Sequence, residues 1–95
     1  TLTPAAYDAL VRAAQEVVTN AARHAGATEL RLDVRAEDGE IVLRGVDDGR
    51  GAAEVVAGNG LTGMRERFAR LGGLVTASGT PGGGFRVVAR LPERS

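Results

Sequence analysis

Cysteine is absent from the chain, which excludes disulfides, zinc thiolate sites and cysteine nucleophiles. A single histidine, His24, excludes a histidine-rich metal site. Only three aromatic residues are present, Tyr7, Phe68 and Phe85, too few for a platform that stacks the bases of single-stranded nucleic acid. Charge of one sign is also lacking: 12 Lys plus Arg balance 12 Asp plus Glu, leaving no overall field to attract nucleic acid or anionic lipid. Any phosphate must therefore be held locally. No apolar run is long enough to span a bilayer as a helix. What the chain does have in quantity is glycine, 14 in 95 residues and concentrated between Asp47 and Gly84, the pattern of functional loops on a rigid scaffold. At 95 residues the chain is expected to form one domain, 1–95, and its start at Thr1 without a methionine suggests a piece of a longer protein.

The spacing predicts a helix from Pro4 to about Ala25. Thr3 suits its cap, Pro4 its first position, and Gly26 follows its end. At roughly 100° per residue, Ala6, Leu10, Ala13, Ala14, Val17 and Ala21 share one arc. Glu16, Asn20 and Arg23 form a polar row along that arc, and His24 lies one turn beyond Asn20. Such a row is either a solvated margin or the wall of a cleft. Thr28 to Ala36 alternates, with Leu30, Leu32, Val34 and Ala36 on one face, and reads as a half-buried strand. After a turn at Glu37-Asp38-Gly39, Glu40 to Val46 returns antiparallel with Ile41 and Leu43 inward. Gly45 shares that inward face, marking either a bulge or a place where a ligand or another backbone comes close.

Leu61 to Leu71 is helical, with Leu61, Met64, Phe68 and Leu71 in one stripe, and Gly72-Gly73 stops it. Leu74 to Ser78 and Phe85 to Leu91 are two further strands, joined by a loop from Gly79 to Gly84. The order helix, hairpin, helix, hairpin predicts an α+β two-layer sandwich: a mixed, mostly antiparallel sheet with helices on one face. Asp47-Asp48-Gly49-Arg50-Gly51 puts a carboxylate at the end of a strand, followed by glycines that let backbone approach a flat ligand. Ordinary turn chemistry favours the same residues.

In combination these motifs resemble the catalytic ATP-binding domain of two-component sensor histidine kinases, with the Bergerat (GHKL) fold. Glu16-Val-Val-Thr-Asn20-Ala-Ala-Arg23-His24 is similar to the family's N box. Asp47-Asp48-Gly49-Arg50-Gly51, Gly58-Asn59-Gly60-Leu61-Thr62-Gly63-Met64 and Gly82-Gly83-Gly84 are similar to its three glycine boxes. The run Gly60-Leu61-Thr62-Gly63-Met64-Arg65-Glu66-Arg67, with Leu71-Gly72-Gly73 after it, is especially similar to the nitrate-sensor and membrane-fluidity-sensor subgroup.

The resemblance implies ATP and Mg²⁺ as cofactors, with the metal on Asn20. Its carbonyl oxygen suits a magnesium ion that keeps several waters and takes other ligands from phosphates. It implies that Glu16 holds a water beside the metal or the attacked phosphorus. Arg23 and His24 reach the phosphates; for His24 a hydrogen-bonded place at the helix end is the competing role. Asp47 accepts the exocyclic amine of adenine and discriminates against GTP, whose guanine presents a carbonyl there. Gly49 and Gly51 lie against the ring, and Gly58, Gly60 and Leu61 bring backbone and a helix N-terminus to the phosphates, with Thr80 completing the nucleotide contacts. The implied partners are a phosphoacceptor and dimerisation domain of the same protein, homodimeric in the full-length kinase, and a response regulator downstream, with no nucleic acid. The isolated domain is expected to be monomeric and the setting cytoplasmic, whether or not the parent is membrane-anchored. Two departures accompany the match. Phe85 follows the third box where many relatives carry a small hydroxyl residue, and the connection from Ala52 to Ala57 is short for an ATP lid, which implies an open site of modest affinity. An anti-sigma-factor serine kinase of the same fold and a degenerate nucleotide-binding regulatory module are the alternatives.

Overall fold

The structure is a computed structural model that describes residues 3–20, 22, 29–48, 59–79 and 84–92, with residues 20 and 59–61 as backbone only. Its elements are α1 (Pro4–Asn20), β1 (Leu30–Glu37), β2 (Glu40–Asp47), α2 (Asn59–Arg70), β3 (Leu74–Gly79) and β4 (Phe85–Pro92). The four strands form one sheet in the order β1-β2-β4-β3, and each of its three ladders is antiparallel. This is the expected α+β fold, without the parallel pairing that a mixed sheet would contain among the described residues.

The Thr3 hydroxyl accepts a hydrogen bond from the Ala6 N–H at 3.2 Å, capping α1 as its position predicts. The α-helix runs to Asn20, and of the expected continuation to Ala25 only Ala22 is described. Its buried face is made mostly of alanine, with Ala6, Ala9 and Ala13 fully covered beside Leu10 and Val17, so the helix axis can come close to the sheet. α2 adds Met64 and Phe68 to the same core, which Leu43, Val75, Phe85, Val87, Ala89 and Leu91 complete from the strands. The end of α2 is a Schellman motif: Gly73 N–H donates to the Phe68 carbonyl at 2.7 Å and Gly72 N–H to that of Ala69 at 3.0 Å. Gly72 takes the left-handed φ of 78° that this motif needs. The β1–β2 hairpin turns on Asp38 (φ 50°) and Gly39 (φ 79°), two successive positive angles as in a type I′ turn.

Gly45 has one clear reason. A Cβ there would stand 2.5 Å from Val17 Cγ1 and 3.4 Å from Leu32 Cδ1, and the ladders on both sides of it run without interruption. The glycine is therefore the seat of α1 on the sheet, and the bulge alternative is excluded.

One strand departs from its pattern. The apolar face of β1 was expected to be half-buried, yet Leu32 is 39% and Val34 54% exposed. The alternation fixed which residues share a face. It could not show that β1 is an edge strand lying beyond the cover of α1, whose contacts fall on β2 and β4.

The face of the sheet away from the helices carries arginines and carboxylates. Val42 is fully buried there, flanked across the ladders by Arg35 and Arg90. The aliphatic stems of these arginines shelter it while their charged heads stay in water. The Arg44 guanidinium holds both Glu37 oxygens, at 3.0 and 3.1 Å, and Arg90 pairs with Glu40 at 3.3 Å. The hydrogen bonds from Arg44 lower the Glu37 pKa below its ordinary value. A depressed carboxylate stabilises the fold above its unfolded pKa, and that contribution is lost as pH falls through the folded value. Glu37→Gln is therefore expected to flatten a small part of the acid limb of stability against pH and to change little at neutral pH. Urea midpoints measured across the acid range in both proteins check this.

Candidate functional site

All the ends that carry the sequence motifs lie at one edge of the sandwich. β2 and β3 finish there, at Asp47 and Gly79, and β1 and β4 begin there, at Leu30 and Phe85. The register places Asp47 opposite both Leu30 and Phe85, and Gly79 opposite Phe85. α1 runs toward the same edge. Val17 sits over Gly45, Asp47 lies two residues further along the same face of β2, and Asn20 is the next residue-turn of the helix. α2 runs antiparallel to α1: a crevice between them brings Thr19 and Glu16 beside Gly63 and Met64, and Arg12 beside Arg67. The N-terminus of α2, which includes Gly60 and Leu61, is thus also directed to this edge.

Asp47 is 8% exposed and is the one buried charged side chain among the described residues. It points to the helical side of the sheet, sharing the face of Gly45 and Leu43, at the border of the core. A carboxylate kept there must have polar partners, because transferring an unpaired charge out of water is costly. Asp48 has a different job. Its Oδ1 accepts the Glu29 N–H at 3.0 Å and its own N–H donates to the Glu29 carbonyl at 3.3 Å, which fastens the start of β1 to the end of β2. From the sequence, Asp48 is accounted for by ordinary turn chemistry alone. Its acceptor role depends on Glu29, 19 residues earlier, which local turn chemistry does not reveal.

Glu16 is half-buried and lines the α1–α2 crevice, about 410 Å³ in volume, with Arg12, Gln15, Thr19, Gly63, Met64 and Arg67. Asp47 is not among the walls of that crevice. The two expected acidic site residues therefore flank the Asn20 end of α1 from different sides. Asn20 is the last residue of α1, and Gly60 and Leu61 stand in the first turn of α2. Arg23, His24, Gly49, Gly51, Gly58 and Thr80 lie outside the described residues. Phe85, the residue that departs from the third glycine box, is a buried core side chain directly opposite Asp47.

Among the described residues no three acidic or histidine side chains are gathered closely enough to hold a metal by themselves.

Residues 5–95 match the family of histidine kinase-, DNA gyrase B- and HSP90-like ATPases. The chain belongs to this family. It is 36% identical over 85 residues to the sensor histidine kinase LnrJ of Bacillus subtilis, covering 90% of this chain and 21% of that protein. It is 41% identical over 87 residues to the histidine-protein kinase/phosphatase UhpB of Salmonella typhimurium, covering 90% of this chain and 17% of that protein. It therefore spans about a fifth of the length of these relatives. The crystal structure of the ATP-binding domain of PrrB from Mycobacterium tuberculosis superposes with a TM-score of 0.70 at 26% identity, covering 90% of this chain and 69% of that one. For a histidine kinase-, gyrase- and HSP90-like ATPase domain, the edge bounded by Asn20, Asp47, the start of α2 and the Gly79 and Phe85 ends of β3 and β4 is the candidate nucleotide site. No described helix is long and apolar enough to cross a membrane.

Proposed function

We propose that this ATPase domain binds Mg-ATP and serves as the phosphoryl donor of a two-component sensor histidine kinase. It would pass the γ-phosphoryl group to a histidine on a separate phosphoacceptor domain, from which a response regulator is served. The observation that supports this best is the position of Asp47, a buried carboxylate at the edge where β2 and β3 finish and β1 and β4 begin. A buried acceptor suits the adenine amine and opposes the guanine carbonyl. Asn20, at the end of α1, would take the magnesium ion, which when bound neutralises the phosphate charge. Glu16, one turn earlier, would hold a water on the crevice side. The first turn of α2, with Gly60 and Leu61, presents backbone N–H groups and a helix N-terminus suited to the phosphates. Arg23 and His24 would add cationic contacts, and Gly49, Gly51, Gly58 and Thr80 would close the nucleotide. Phosphoryl transfer relies on positioning and charge neutralisation, which a donor domain can supply without a covalent protein intermediate. The homodimeric parent and its cytoplasmic kinase domain belong to the same proposal.

Relatives named as sensor histidine kinases favour this reading over the serine-kinase alternative. Titration calorimetry with ATP and GTP, each with and without magnesium, tests it. ATP is expected to bind only weakly without the metal, and GTP not measurably. Asn20→Ala is expected to abolish the gain from magnesium while leaving the thermal midpoint unchanged; an unaltered magnesium effect would remove Asn20 from the site. In the parent protein, label from γ-labelled ATP is expected to be acid-labile, as phosphohistidine is. Acid-stable label would instead identify a serine kinase.

A further inference from the structure

Two crevices follow one another along the seam between α1 and α2, each of about 410 Å³. The first, nearer the candidate nucleotide edge, has Glu16 and Thr19 on its α1 wall and Gly63 on its α2 wall; the second has Asp8 and Arg70. Arg12 and Arg67 border both. These two arginines differ in what they hold. Arg12 Nε donates to Asp8 Oδ2 at 2.8 Å, so its charge is matched on the side away from the edge. Arg67 is half-buried, yet among the described residues it has no hydrogen bond or ion pair.

Side chains on a helix lean toward its N-terminus. On α1 that direction leads away from the nucleotide edge, in keeping with the turn of Arg12 to Asp8. On α2 it leads to the edge, so Arg67 lies over the turn of Gly63 and Met64, in the first crevice. Glu16 forms part of the opposite wall, itself half-buried and beyond ion-pair distance of Arg67. Keeping a guanidinium partly out of water without a counter-charge is costly, and an anion between these walls removes that cost. The same crevice thus offers such an anion a cation on one side and a carboxylate able to hold a water on the other.

The layout of the edge selects the anion. Asp47 is not among the walls of this crevice, whereas Thr19, one residue before Asn20, and Gly63, one turn into α2, are. A nucleotide with its base at Asp47 and its phosphates at the first turn of α2 brings its last phosphate to the crevice mouth. Arg67 is about 10 Å along the axis of α2 from Gly60 and leans back over that distance. We propose that Arg67 is a contact for the terminal phosphate of ATP, its planar fork meeting the γ-phosphate oxygens from the α2 wall. This rests on the Mg-ATP reading of the site and adds to it the residue that distinguishes a third phosphate from a second. It also gives a use to the end of the run from Gly60 to Arg67, in which Arg65 and Glu66 are exposed and Arg67 alone of the three faces the crevice.

ADP lacks only the group that Arg67 would touch, so the ratio of ATP to ADP affinity isolates the contact. In titration calorimetry with magnesium the parent chain is expected to bind ATP more tightly than ADP. Arg67→Gln is expected to weaken ATP about tenfold or more and ADP less than about twofold. Arg67→Lys keeps the charge without the fork and is expected to fall between parent and Arg67→Gln. Arg70→Gln removes an equal charge one turn further along α2, at the second crevice only, and is expected to leave both affinities unchanged. Parental thermal midpoints are expected in all three variants. A parent that binds neither nucleotide overturns the nucleotide reading and this contact with it. With ATP bound by the parent, the contact alone is overturned if ATP binds no better than ADP, if Arg67→Gln keeps the parental ratio, or if Arg70→Gln lowers that ratio equally.

Discussion

Asp47→Ala is expected to abolish measurable ATP binding while the domain stays folded. The carboxylate is 8% exposed at the end of β2, on the face covered by α1. In the nucleotide reading it is the acceptor for the adenine amine. A hydrogen bond to a charged group contributes about 1.5–3 kcal/mol, roughly a 10- to 150-fold change in Kd. At a site whose short Ala52–Ala57 connection already implies modest affinity, that loss moves binding out of calorimetric range. Asp47→Asn separates charge from volume: it keeps the side-chain size opposite Phe85 and Leu30, yet turns half of the polar edge into a donor that opposes the amine. Weakened ATP binding with a parental thermal midpoint is its expected result. Parental ATP affinity in the alanine variant would move the base-reading role elsewhere.

The sequence alone was sufficient for the parts of this protein that local rules control. Thr3 and Pro4 announce the start of α1, and Gly72-Gly73 the Schellman end of α2. The Asp38-Gly39 pair fixes a hairpin whose two-residue turn requires positive φ. The location of the candidate site was suggested for another reason. Four motifs widely separated in the chain each place a polar or glycine-rich segment at an element end, and the sheet order brings those ends to a single edge. Non-local geometry was not legible. Alternation identified Leu32 and Val34 as companions on one face but carried no information on strand order, so their exposure at the edge came only from the structure. Asp48 looked like a turn residue because its partner, Glu29, is distant in sequence. Gly45 was ambiguous because the absence of a side chain has the same appearance whether a strand bulges or a helix needs the space.

Gly45 carries the second large effect. Its missing Cβ is where α1 rests on β2, with Val17 Cγ1 2.5 Å from the position a Cβ would occupy. A methyl group there must displace Val17, and Val17 is itself 5% exposed among core side chains that leave little room to turn. Overpacking of this kind costs about 1–3 kcal/mol, so Gly45→Ala is expected to lower the urea midpoint clearly, and Gly45→Val more. The functional consequence follows from the direction of the push. α1 reaches the edge only one turn beyond Val17, where Asn20 ends it, while Asp47 stays fixed in the β2–β4 ladder. Lifting the helix therefore widens the distance between the proposed metal end and the proposed base end of the nucleotide. Gly45→Ala is expected to weaken Mg-ATP binding even at temperatures where the domain is fully folded. Val17→Ala in the same chain removes the colliding Cγ1 and is expected to recover both stability and affinity relative to the single variant. Recovery of stability without affinity would mean that the seat of α1 holds the fold but does not set the span of the site.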